Sequence, residues 1–147
     1  MKIKIICVGK IKENSLKNLI NEYTKQIKDL TIFEVKDEKN QLGLKLEAKR
    51  ILKHLNKNEY TIGLVIKGNE HNSLSLAKLF DHIQTNLNKP ITFIIGGSYG
   101  LDNSVLETLD YKLSLSKLTF PHQLTRLILV EQIYRSLMIL NNHPYHK

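Results

Sequence analysis

Cysteine is almost absent from the 147-residue chain: Cys7 stands alone, so no disulfide can form within one copy. It lies in the apolar run Ile3 to Val8, where a buried, reduced thiol is expected. Long apolar runs are missing too. No stretch approaches the ~18 apolar residues of a membrane span, and the N-terminal run is shorter than the ~7 to 15 residues of a signal-peptide core. These absences predict a cytoplasmic protein with no membrane partner. There is no internal repeat and no low-complexity tract. Acidic residues are in deficit, 14 against 22 Lys and Arg, for a net charge of +8. That imbalance favours polyanionic partners, nucleic acid first, with a membrane surface as the competing polyanion. Arginine is scarce as well, only Arg50, Arg126 and Arg135, and an excess of lysine suits diffuse attraction to phosphates better than bidentate reading of bases.

What is present describes one domain over residues 1–147, with 41% hydrophobic and 24% charged residues, the composition of an ordinary globular protein. Lys2 to Val8 alternates and then becomes continuously apolar, as in a strand buried on both faces of a parallel sheet, and Gly9 ends it. Leu16, Leu19, Ile20, Tyr23 and Ile27 share one helical face. Thr31 to Val35 reads as a short strand, and Lys36 to Gln41, which has no apolar residue, as a mobile loop. Leu44, Ala48, Ile51, Leu52 and Leu55 predict a second helix. Its other positions carry Lys45, Lys49, Arg50, Lys53 and Lys57, either a solvated basic face or one that tracks phosphates. Tyr60 to Ile66 is a strand ended by Lys67-Gly68. A polar loop, Asn69 to Ser73, leads to a helix with Leu76, Leu79, Phe80, Ile83 and Leu87 inward, and Pro90 to Ile95 returns to strand. Such alternation predicts an α/β fold, a mostly parallel sheet with helices on both faces. Ligands in these sheets sit at the carboxyl ends of strands, which directs attention to the loops after Ile66, after Ile95 and after any later strand.

Gly96-Gly97-Ser98-Tyr99-Gly100 follows the strand ending at Ile95, and Ser104 to Glu107 has the S-x-x-E form of a capping box. Glycines there let backbone groups approach a ligand. The pattern is neither G-x-G-x-x-G nor a P-loop, so dinucleotide and triphosphate folds are disfavoured. In Tyr111 to Phe120 the alternation slips register, which predicts a strand breaking into a loop at Ser116-Lys117. Pro121 then begins a long helix from Leu124 to Leu140, with apolar surface wide enough for part of it to face a second subunit. The tail, Asn141 to Lys147, has little to form a core and reads as a frayed terminus. His143 and His146 lack the partners of a metal site, so no metal is expected. No G-x-S-x-G nucleophile supports hydrolysis.

Four ordered blocks carry a resemblance. They are Phe93 to Leu101 (FIIGGSYGL), Leu113 to His122 (LSLSKLTFPH), Glu131 to Arg135 (EQIYR) and His143 to Lys147 (HPYHK). Together with Lys4 to Gly9 they make the chain similar, over nearly its whole length, to the ribosomal RNA large subunit methyltransferase H family. The resemblance implies a SPOUT-class enzyme whose C-terminal part threads a trefoil knot that binds S-adenosylmethionine. It implies a homodimer that methylates N3 of a pseudouridine in the helix 69 hairpin of 23S rRNA, within the 70S ribosome. By the same likeness the methyl donor meets Leu64, Gly96, Leu115, Ser116, Lys117, Leu118, Thr119 and Phe120. Arg135, and Tyr145 and His146 from the other subunit's tail, would meet the target base. The alternatives are a non-catalytic ribosome-binding or RNA-binding protein of the same fold, or a related enzyme acting on tRNA.

Overall fold

Strands rich in Ile, Val and Phe line up in parallel in the computed structural model, which describes all residues Met1–Lys147. β1 (Ile3–Val8) and β4 (Ile91–Ile95) lie at the centre of a five-stranded sheet of order β2-β1-β4-β3-β5, with β2 (Leu30–Val35) and β5 (Tyr111–Ser114) at its edges and β3 (Tyr60–Glu70) between β4 and β5. Alternation then sorts the side chains. Ile3, Ile5 and Cys7 of β1, with Ile91, Phe93 and Ile95 of β4, pack beneath α1 (Asn14–Thr24), α3 (Ser73–His82) and α5 (His122–Leu140). Ile6, Val8, Val35 and Ile94 face the other way, against Ala48 and Ile51 of α2 (Leu44–Leu52) and Val105 of the short α4 (Asn103–Leu106). Helices therefore cover both faces, as the strand–helix alternation predicts. No helix is long and apolar enough to cross a membrane.

Lys4 alternates onto the α2 face at the other end of β1, where Nζ donates to Glu59 Oε1 at 2.8 Å, and Thr92 Oγ1 donates to Glu59 Oε2 at 2.8 Å. Desolvation opposes ionisation of Glu59, but these hydrogen bonds outweigh it and hold its carboxyl below the usual range. The stability this pair contributes is present above the ordinary carboxylate pKa and lost as pH falls through the lowered value. Glu59→Gln is expected to lower stability by roughly 1 to 3 kcal/mol near neutral pH, with the difference shrinking in acid. Denaturant melts at two pH values check this; an equal loss at both would contradict it.

Cys7 is 1% exposed, and burial pushes its thiol up to about 11, the nearby Arg126 guanidinium opposing only in part. A maleimide at pH 8 is expected to leave it unmodified until denaturant unfolds the chain. Rapid labelling of the native protein would contradict this placement.

Several sequence expectations are corrected. Leu19, at the edge of its helical face, is 45% exposed, and α1 stops at Thr24, so Ile27 enters the core from the turn beyond it. The segment Lys36 to Gln41 is pinned: the Glu38 N–H donates to Glu47 Oε2, Arg50 donates to the Lys36 carbonyl, and Arg50 pairs with Glu38 at 3.4 Å. α4 is capped by Asp102, whose carboxylate accepts from the Ser104 N–H, and not by Ser104. Leu87 is 41% exposed, because the helix widens to a π-turn at Ile83–Leu87. β3 does not end at Lys67-Gly68, as the site geometry below explains.

Candidate functional site

β3 pairs with β5 twice. Ile62, Gly63 and Leu64 oppose Tyr111, Lys112 and Leu113; then Asn69 and Glu70 oppose Leu113 and Ser114, leaving residues 65–68 bulged out of the ladder. The bulge closes because Gly68 has no side chain: a Cβ there would lie 2.8 Å from the Lys112 carbonyl carbon and oxygen. Beside it, β4 ends at Ile95 and the chain folds into a tight turn, with the Gly100 N–H donating to the Gly97 carbonyl at 3.1 Å. Gly100 takes φ +76°, and a Cβ on Gly96 would come within 2.5 Å of the Gly100 oxygen. After β5, Ser114 Oγ donates to the Ser116 carbonyl, and Ser116 Oγ accepts from the Leu118 N–H. These bonds turn the chain away from the sheet edge toward Pro121 and α5.

The three segments converge on a single cavity of about 800 Å³ at the bulge of β3 and the carboxyl ends of β4 and β5. Leu64, Gly96, Leu115, Ser116, Leu118, Thr119 and Phe120 all line it. Lys117 does not: its side chain is 86% exposed, with Nζ 3.9 Å from Glu70. The cavity also takes in residues that sequence reasoning passed over, namely Val65 and Lys67 of the bulge, Leu101 and Leu106 around α4, and His122 and Thr125 of α5. The Lys67-Gly68 pair was the available signal for the bulge, but it reads equally well as a strand end. No carboxylate lines the cavity, whose walls are mostly apolar side chains, hydroxyls and loop backbone, with Lys67 and His122 the only basic side chains. That lining suits a flat heterocycle between aliphatic walls, with carbonyl oxygens for a small positive centre. The volume lies within the range of cofactor pockets, roughly 300 to 1,000 Å³. No group of three or more His, Cys, Asp or Glu is arranged to hold a metal ion.

The tail forms a second cluster. It is not frayed: Tyr145 packs edge-on against Tyr134, centroids 4.7 Å apart, and its hydroxyl donates to Glu131 Oε1 at 2.9 Å. The same oxygen accepts from Arg135 Nε at 3.0 Å and Nη2 at 2.6 Å, while the guanidinium lies 4.7 Å from the Tyr145 ring centroid. Desolvation, then hydrogen bonds with Tyr23 and Glu131, push the Tyr145 phenol well up, and Glu131 raises Arg135. Arg135 Nη1 meets His146 Nδ1 at 3.1 Å. A guanidinium only donates, so the imidazole proton sits on Nε2 in this arrangement. Glu131 organises the whole cluster, a role suggested only by its being a carboxylate in an otherwise apolar stretch. None of Arg135, Tyr145 and His146 lines the cavity. Ten residues of α5, ~15 Å of helix, separate Thr125 at the cavity wall from Arg135.

Residues 1–146 match the family described as "Predicted SPOUT methyltransferase". Over the full length of both chains, this sequence is 51% identical to the "Ribosomal RNA large subunit methyltransferase H" of Acholeplasma laidlawii (strain PG-8A). It is 44% identical, again over both full lengths, to the protein of that name from Acetivibrio thermocellus. Among solved structures, a probable methylase family protein from Haemophilus influenzae Rd KW20 superimposes with TM-score 0.60 at 13% identity, covering 99% of this chain and 70% of that one. The SpoU methyltransferase AviRb of Streptomyces viridochromogenes, solved with the cofactor AdoMet, gives TM-score 0.51 at 11% identity, covering 93% and 58%. Both likenesses concern the fold.

Proposed function

Because the chain belongs to the SPOUT methyltransferases, in the ribosomal RNA large subunit methyltransferase H family, we propose that it transfers a methyl group from S-adenosylmethionine to N3 of a pseudouridine in helix 69 of 23S rRNA. It does so as a homodimer on assembled 70S ribosomes in the cytoplasm. The observation that carries the reading is the cavity: three loops far apart in sequence build one apolar, backbone-rich pocket in a chain matched end to end by relatives named ribosomal RNA large subunit methyltransferase H.

When bound, S-adenosylmethionine supplies a methyl group activated on a sulfonium. Leu64, Leu115 and Leu118 provide the apolar walls, and the backbone from Gly96 to Gly100 and from Ser116 to Phe120 provides polar contacts. The C-terminal knot of SPOUT enzymes belongs to the same reading, around the loop from Leu115 to Phe120.

N3 of a uracil-type ring carries a proton and is a poor nucleophile until that proton leaves. As the N3–methyl bond forms and the sulfur–methyl bond breaks, the N3 proton passes to solvent, or to His146 or His143 once its Nδ1 has given up the hydrogen bond from Arg135 or from the Tyr145 N–H. Arg135, Tyr145 and His146 cluster away from the cavity of their own chain, so in the proposed dimer one protomer's tail serves its partner's cavity. Tyr145 would stack on or edge the target base, and Arg135 would fix the tail.

Titration calorimetry with S-adenosylmethionine tests the donor half directly. Saturable binding is expected. A flat thermogram would move the chain to the other class, a ribosome-binding protein of this fold without catalysis.

A further inference from the structure

The lysine-bearing face of α2 has no part in the cavity or the tail cluster, and the structure turns most of the nearby carboxylates away from it. Lys36, Lys39, Lys45, Lys49, Lys53 and Lys57 are all exposed, and none of them forms an ion pair. The acidic groups of the same stretch are engaged elsewhere. Glu47 is 5% exposed and faces inward, Glu38 pairs with Arg50, and Glu59 pairs with Lys4. Only Asp37 and, across from α2, Asp102 remain. Asp102 lies close enough to Lys45 for that ammonium to help lower its carboxyl, after the larger effect of its hydrogen bonds with Ser104.

Lys45, Lys49 and Lys53 recur every four residues, so they occupy one side of the helix about 6 Å apart along its axis. Leu42 and Leu46, 91% and 47% exposed, lie beside the row. The helix that carries the row backs onto the glycine loop. A Cβ on Gly97, which lines the cavity, would lie 3.8 Å from Glu47 Oε1 on the inner side of the same helix.

From this geometry we infer that Lys45, Lys49 and Lys53 form a phosphate-binding row, leading away from the glycine loop, that docks the RNA backbone flanking the methylated nucleotide. Exposed lysines held in no ion pair suit sequence-independent contact to successive phosphates, and exposed leucines beside them suit ribose and base faces. The inference rests on the proposed function, and it is tested through RNA binding measured without donor, so that either can fail alone.

The K45Q/K49Q/K53Q variant is compared with the wild-type chain and with K25Q/K28Q/K78Q, which removes equal charge from the α1 and α3 side. Ribosome co-sedimentation is followed from low to moderate salt. The α2 variant is expected to lose at least tenfold in affinity, with the slope of log affinity against log salt flattened by about 2 to 3, as for two or three lost phosphate contacts. In methyl transfer its KM for ribosomes rises while kcat and donor affinity hold. Affinity and slope like wild type, or an equal loss in the control variant, would overturn the row. Row-dependent binding to phosphatidylserine vesicles without row-dependent ribosome binding would assign the face to a membrane surface instead.

Discussion

Removing Tyr145, His146 and Lys147 is expected to abolish methyl transfer to ribosomes, at least a hundredfold loss, while donor affinity stays within about twofold of wild type. The donor cavity owes nothing to these residues, since none lines it. The truncation does cost structure. It deletes the Tyr145 contact with Tyr134 and the hydrogen bond to Glu131, together roughly 1 to 2 kcal/mol. That loss is too small to unfold a domain whose core lies on both faces of the sheet. Light scattering should still report a dimer, and mixing the truncated chain with a cavity-deficient chain should restore part of the activity if tail and cavity act in trans. Wild-type turnover by the truncated protein would return the tail to the status of a terminus.

Gly96→Val is expected to lower donor affinity by tenfold or more, ~1.4 kcal/mol, in a protein that still folds. The new Cβ would meet the Gly100 carbonyl at 2.5 Å and force open the turn that forms one wall of the cavity. A turn at the end of β4 can shift without disturbing the buried strand behind it. Leu118→Asn serves as a companion, because Leu118 lines the cavity at 70% exposure and its replacement leaves the backbone alone. Unchanged calorimetric affinity in both folded variants would remove the donor from this cavity.

Periodicity made most of the fold legible. Every strand and helix expected up to Ile95 exists, and the continuous apolar run of β1 correctly implied burial on both faces. Strand order was not legible, because it depends on which edges meet in space and not on local pattern. The bulge after Leu64 hid for a related reason: Gly68 is required by the backbone of Lys112 and Leu113, more than forty positions downstream. Arg126 shows the same limit. It counted toward the positive charge, yet it is 5% exposed, with Nη1 donating to Glu34 at 2.6 Å and Nη2 to the Gly9 carbonyl. The cavity loops were visible as strand ends with glycine or broken register. The tail cluster was not, since Glu131 and Tyr145 meet only once α5 is formed and the chain has reversed at Asn142, with φ +56°.

The central claim is the reaction itself. Ribosomes from cells lacking large-subunit pseudouridine methylation, incubated with the purified protein and labelled S-adenosylmethionine, allow it to be read nucleotide by nucleotide by mass spectrometry of nuclease digests. The predicted result is label confined to 23S rRNA, in one helix 69 fragment, on the N3 of a pseudouridine. Label in tRNA, on a different large-subunit nucleotide, or nowhere despite measured donor binding would contradict it.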